Sequence, residues 1–399
     1  MLTRVFGPHN LAMAEDAVQD VLLKAIEYWQ EQGLPDNPAA WLYRATRNRA
    51  IDIIRKNRRQ QTFATDINPL LDSEYTAAVT LNDCFKEEEI RDDMLRMMFA
   101  CCHPAIGREG QISLILKTLS GLSVAQIARA FITKPDTIEK RLYRARMAFR
   151  DNNASLELPG GSALVQRMEN VLETIYLLFN EAHSASYHDS LTRDDLAQDC
   201  IRLCSVLTEH AATNLPQTNA LLALLCFHTA RLASRVNANG ELMLMQHQDR
   251  NLWDRTLIEK GVWHLERAAT GSEISRYHLE AAIAYEHCKA ERYEDTDWET
   301  ILGYYNILAK LVPTPVVLLN RAIAIKELEG AQAALDEIKK IPGIDYLQHY
   351  YLLHAILGEL LSQTGRMESA LGHYEKALQM AVSGAERKFI QQRIDEVRG

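Results

Sequence analysis

Apolar positions recur three and four residues apart along almost the whole chain, and the alternation that marks a strand is hardly found. This spacing predicts helices from end to end and an all-α fold. Four zones follow. Residues 1–61 read as helices that end in the basic run Arg55-Lys56-Asn57-Arg58-Arg59. Residues 62–90 hold few aromatics and many acids, among them Asp66, Asp72, Glu87, Glu88 and Glu89, and read as a linker. Residues 91–153 read as a compact helical unit. The loop signal Leu158-Pro159-Gly160-Gly161 marks the next boundary, and residues 162–399 read as helical to the end.

The last zone carries a repeat. Leu357-Gly358, Leu361, Gly365, Ala370, Tyr374 and Ala377 follow the pattern of a tetratricopeptide repeat (TPR). Small residues there let paired helices approach, and the aromatic fills the gap between them. A weaker copy runs Ala322, Ile325, Gly330, Ala334, Ile338, with Pro342 as its stop, and a third begins at Ala282. Stacked pairs of this kind present a curved surface to a protein partner.

Two short basic stretches change the picture that the net charge of -9 would give. In the first, Ser123 is placed to cap the short helix Val124–Phe131, and Ile132-Thr133-Lys134-Pro135 makes a turn. The following helix, Asp136–Arg146, turns Ile138, Leu142 and Ala145 inward and sets Lys140, Arg141, Arg144 and Arg146 on exposed arcs. This is the pattern of a helix-turn-helix whose second helix enters a major groove. A charged, solvated face on an ordinary helix pair is the alternative.

The second stretch begins with Ala14-Glu15-Asp16-Ala17-Val18-Gln19-Asp20-Val21-Leu22, an amphipathic helix with an acidic exposed face. After the loop Gly33–Pro38 comes Trp41-Leu42-Tyr43-Arg44-Ala45-Thr46-Arg47-Asn48-Arg49-Ala50-Ile51-Asp52-Ile53-Ile54-Arg55. Aromatics interleaved with arginines suit single-stranded DNA, where bases stack and phosphates need neutralising. Trp41 and Ile51 as core residues beside solvated arginines are the other reading.

In this order, AEDAVQD, NPAAWLYRATRNRAIDIIR and GLSVAQIARAF…TIEKRLYRAR resemble regions two and four of an extracytoplasmic-function (ECF) sigma factor of the sigma-70 family. DDMLRMMFACCHPAI, YLLFNEAHSAS, LLALLCFHTAR, YHLEAAIAYEHC and PTPVVLLNRAIAI resemble the sub-group with a long TPR-like C-terminal extension. The resemblance implies a non-enzymatic protein that binds core RNA polymerase and promoter DNA. Glu15, Asp16, Gln19 and Asp20 would meet the polymerase. Asp36 and Asn37 would hold a flipped base of the minus-ten element, a step that costs lost stacking. Trp41, Arg44, Arg47, Asn48, Arg55 and Lys56 would follow the melted strand. Lys134, Thr137, Glu139, Lys140, Arg141, Tyr143, Arg144 and Arg146 would meet the minus-thirty-five element.

Two departures stand out. Relatives carry a further helix before AEDAVQD, whereas only about a dozen residues precede it here, which predicts a truncated start. Glu139 sits where many relatives have a basic residue; it either accepts from a cytosine amino group or serves as an exposed helix former.

Seven cysteines without framework spacing suit a reducing compartment, and the first residues lack the apolar core of a signal peptide. No apolar run is long enough for a bilayer. The expectation is a cytoplasmic protein without membrane contact. Cys101-Cys102-His103 lacks a second ligand pair with zinc spacing and reads as buried thiols before a helix end. With no phosphate loop, dinucleotide fingerprint or GxSxG, neither a cofactor nor a metal is expected. A TPR-type interaction or sensor protein with a degenerate N-terminal half is the alternative from another class.

Overall fold

The computed structural model describes residues 6, 11–57, 95–131, 133–151, 161–183, 190–237, 241–381 and 384–399. The predicted linker over 62–90 lies outside them. The fold is all-α, as the spacing predicts; among the described residues the one β-pairing outside helices is an isolated antiparallel bridge between Val236 and Leu242. The chain divides into two compact units, Met1–Thr174 and Ile175–Gly399.

In the first unit, α1 (Leu11–Gln32) and α2 (Pro38–Asn57) pack on each other and are joined by a short loop. Ala14, Ala17, Val21 and Ala25 of α1 are buried at helical spacing, and their small size lets α2 approach with Ala50 and Ile53. Gly33 ends α1 in the left-handed region (φ 80°), its N–H donating to Trp29 O at 3.0 Å. Asn37 starts α2: its Oδ1 accepts from Ala40 N at 2.9 Å, and Pro38 fills the first helical position.

Helical residues 95–101 precede α3 (Arg108–Thr118), α4 (Val124–Ala130) and α5 (Pro135–Asp151). Ile112, Leu114, Ile115, Leu122, Ile127, Ile138, Leu142 and Ala145 form their core. Ser123 and Gln126 close a reciprocal cap on α4: Ser123 N donates to Gln126 Oε1 at 2.8 Å, and Gln126 N to Ser123 Oγ at 3.2 Å. Thr133 N donates back to Ala128 O at 2.8 Å, so the turn after α4 satisfies the helix end before Pro135 starts α5. Cys101 and Cys102 are buried, as read from the sequence. Around them, Gln111 Nε2 donates to His103 O and Ile106 O, and Arg167 Nη1 to Phe99 O at 2.9 Å. Arg167 lies in α6 (Gly161–His183), inside which the division between units falls.

The second unit continues with α7 (Ser190–Glu209), α8 (Pro216–Ala230), α9 (Arg255–Ala268) and α10 (Arg276–Lys289). Helix α8 is buried on all sides from Thr218 to Phe227, so it is the centre of this part. Between α8 and α9 the expectation of continuous helix fails. The described residues between them hold three short 3₁₀ turns, Leu232–Ser234, Met245–His247 and Arg250–Leu252, and the isolated bridge.

Six further helices are α11 (Trp298–Leu311), α12 (Pro315–Glu329), α13 (Ala331–Lys339), α14 (Tyr351–Gln363), α15 (Met367–Met380) and α16 (Gly384–Arg398), each packed on the next. Gly330, at φ 90°, joins α12 to α13, whose buried faces carry Ala322, Ala334 and Ile338. Between α14 and α15, Gly358 lies against the ring of Tyr374; a β-carbon there would come within 2.7 Å of the ring. Ala282, read as the start of a third copy, lies inside α10.

Candidate nucleic-acid interface

Helices α1 and α2 bring part of the predicted site together. Trp41 stacks on Tyr28 with centroids 5.5 Å apart and planes at 23°, and meets Trp29 edge-on at 5.6 Å. Tyr28, Trp41, Asn48, Lys24 and Arg49 line one open cleft, together with the carboxylates Glu27, Glu31 and Asp52. Trp41 and Asn48 are two turns apart on α2, which sets them on the same side. Trp41 is half-buried, between its two predicted states: packed on α1, with an edge in the cleft. Tyr28 is the residue that sequence reading missed. Its only signal was a helical position facing the aromatic that follows the loop.

Arg44 and Lys56 are exposed on α2, and Arg47 Nη2 donates to Asn48 Oδ1 at 3.3 Å. Asp36 is exposed. Asn37 is exposed too, but its side-chain oxygen is engaged in the cap of α2. For Arg55, the structure describes only its place in α2.

The acidic face of α1 needs correction. Asp20 accepts from Arg49 Nη2 at 2.5 Å and Nε at 3.1 Å, and Glu15 accepts from Arg146 Nη2 at 3.0 Å. Asp16 and Gln19 remain exposed. The exposed surface of α1 is also apolar: Val18, Leu22 and Ile26, four apart, stand 40%, 46% and 53% exposed, beside Leu23. A stripe so spaced lies along one side of a helix.

On α5 and the turn before it, Lys134, Glu139, Lys140, Tyr143 and Arg144 are exposed and Thr137 is half-buried. Two arginines expected on exposed arcs are instead turned onto the protein. Arg141 pairs with Glu109 at 2.5 Å and lies over the Phe131 ring at 5.4 Å. Arg146 is partly buried against Glu15. The cause is spacing: Arg141 and Arg146 flank the buried positions Ile138, Leu142 and Ala145, so carboxylates on neighbouring helices reach them.

Burial pushes the Cys101 and Cys102 thiols well up, which keeps them protonated and unreactive. Among the described residues no helix is long and apolar enough to cross a membrane.

Residues 3–60, which hold α1 and α2, match sigma-70 region 2. The chain thus carries a sigma-70 region 2 domain at its N-terminus. Residues 167–269, within α6 to α9, match a family of unknown function. An uncharacterised protein of Rhizobium meliloti (strain 1021) is 35% identical over 390 residues, covering 97% of this chain and 90% of the relative. The two chains share their family along nearly their whole length.

Proposed function

We propose that this chain is a sigma factor of the ECF type. It binds core RNA polymerase, recognises minus-ten and minus-thirty-five promoter elements and starts transcription, without covalent chemistry of its own. The observation that carries the reading is the sigma-70 region 2 match over α1 and α2.

In this reading α1 docks on the polymerase through Asp16 and Gln19, with Val18, Leu22 and Ile26 burying apolar area in the same contact. Glu15 and Asp20 contribute less, because each is already paired with an arginine. The Tyr28–Trp41 pair offers a base a stacking surface, and Arg44, Arg47 and Lys56 neutralise the strand. Stacking of a base on such a platform contributes roughly 1–3 kcal/mol. Helix α5, following the short helix α4 and a turn, acts as the recognition helix of a helix-turn-helix. Lys140 and Glu139 read base edges, and Arg144 and Lys134 hold phosphates.

The C-terminal helices act as a TPR-like regulatory extension in cis, in place of a separate inhibitor. Their stepwise packing from α11 to α16 and the Gly358–Tyr374 contact support the TPR-like part of this reading.

The test is fluorescence anisotropy of the full chain with core polymerase on a labelled minus-ten single strand. Binding that weakens at least fivefold in Trp41→Ala and in Arg44→Ala supports the reading. Equal affinity for all three proteins on every sequence contradicts it.

A further inference from the structure

The irregular segment between α8 and α9 holds an arrangement that the sigma-factor reading does not use. Arg231 follows α8 directly and is 7% exposed. Its guanidinium lies over the ring of Trp253, 5.3 Å from the centroid. Arg250 lies over the same ring at 4.5 Å. Trp253 is itself 3% exposed, and its Nε1 donates to the buried Ser234 Oγ at 2.9 Å, which fixes the ring between α8 and α9.

Arg250 has a structural role. Its Nη1 donates to His287 O at 2.7 Å and Ala290 O at 2.6 Å, which closes the C-terminal end of α10. Its Nη2 is buried with no acceptor. Arg231 has no comparable role: its Nε is buried without an acceptor among the described residues. His287, 9% exposed, also keeps Nδ1 without a partner.

Among the described residues the charged groups acting on Arg231 are Arg235 and Arg250; the Cys288 thiol beside it is pushed up to about 11 by burial and carries no charge at neutral pH. Those acting on His287 are Arg231 and Arg250. Glu294 and Asp295 act on Arg250 from the side of the 3₁₀ turn Tyr293–Asp295, together with Arg255, and Asp295 is already bonded to Arg292 at 3.0 Å. Burial lowers the Arg231 guanidinium only to about 10, so it stays charged at neutral pH. A buried cation is costly unless an opposite charge and acceptors meet it, and the face of one indole offsets part of that cost.

We propose that Arg231 is the anchor of a binding site for a compact oxyanion of the phosphate or sulfate class. Its fork of donors suits two oxygens of such an ion. Arg250 adds to the positive field. Arg231, Arg250 and Trp253 fall within the residues matched to the family of unknown function and His287 lies beyond them, all in the part of the chain read as regulatory. The site stands on these contacts alone, so its failure leaves the sigma-factor reading untouched.

The test is thermal unfolding of the full chain at constant ionic strength, with sodium phosphate, sodium sulfate or sodium chloride. At 10 mM, phosphate and sulfate should raise the midpoint by roughly 2–4 °C over chloride. Titration calorimetry with inorganic phosphate should give one saturable site. Arg231→Gln should abolish both signals, and Arg250→Gln should weaken phosphate binding about tenfold. Arg231→Met fills the same space without charge, and should unfold no earlier than wild type in phosphate-free buffer. Equal shifts with chloride, no saturable phosphate binding by the wild type, or phosphate binding retained by Arg231→Gln or Arg231→Met would each overturn the proposal.

Discussion

Arg146 of α5 donates to both oxygens of Glu15 on α1, at 3.0 and 3.3 Å. One partner belongs to the proposed minus-thirty-five reader and the other to the proposed polymerase-docking helix, 131 residues apart in the chain. Both side chains are about one-third exposed, so the pair is screened and its worth is modest, about 0.2–1 kcal/mol. A double-mutant cycle with Glu15→Gln and Arg146→Gln, followed by urea unfolding, should give a coupling in that range that fades in 1 M salt. A coupling near zero at low salt would mean that the pair contributes nothing in solution.

Exposed and inward arginines on α5 should behave differently. Arg144→Ala should weaken binding about equally across promoters and lower the slope of log affinity against log salt by about one. Lys140→Ala should relax preference at one minus-thirty-five position by about 1–3 kcal/mol. Arg141→Ala, which removes the contact with Glu109 and Phe131, should lower the unfolding midpoint more than it changes the salt slope. Equal losses on every sequence for Lys140→Ala and Arg144→Ala would defeat the base-contact assignment.

The approach of α14 to α15 depends on a missing side chain. Gly358→Ala places a methyl 2.7 Å from the Tyr374 ring and should destabilise the second unit by roughly 1–3 kcal/mol, despite the better helix propensity of alanine. Adding Tyr374→Leu should recover part of the loss, because the two positions are coupled. Chemical unfolding of the single and double variants checks this. A fully additive double variant would contradict the packing account.

That contact was legible in the sequence, since Gly358 and Tyr374 stand at fixed places in a repeat pattern. So were local features set by neighbouring residues: Ser123 at the start of α4, Pro135 at the start of α5, and Cys101 and Cys102 inside. Features set by distant partners were not. Arg141 looked exposed because Glu109, which holds it, lies on another helix. The apolar positions Leu22 and Ile26 were not singled out, and no described neighbour covers them. The break in helix after α8 does carry a local signal, the run Asn237-Ala238-Asn239-Gly240, which the helical spacing on either side outweighed. Arg231, in turn, is defined by packing on Trp253, 22 positions further along.

Acid should weaken the second unit. His264, whose Nδ1 lies 2.9 Å from Asn219 Oδ1, is pushed down to about 4 by burial and then by Lys260 and Arg267. His287 is pushed down to about 3 by burial, Arg231 and Arg250. The unfolded chain takes up these protons near pH 6.5, whereas the folded chain resists until about pH 4 or below. Stability contributed by the neutral rings is therefore present above pH 6.5 and lost as pH falls. The slope reaches about 1.4 kcal/mol per pH unit for each ring. His264→Gln should flatten the fall between pH 6.5 and 4, as followed by urea unfolding. An unchanged slope in that variant would remove His264 from the account.

The central claim is tested most directly by run-off transcription on genomic promoter fragments, with purified core RNA polymerase and with or without the full chain. The account predicts discrete transcripts that depend on the protein and are lost or strongly reduced with Arg144→Ala. No transcript from any fragment, together with no binding of the protein to core polymerase, would contradict it.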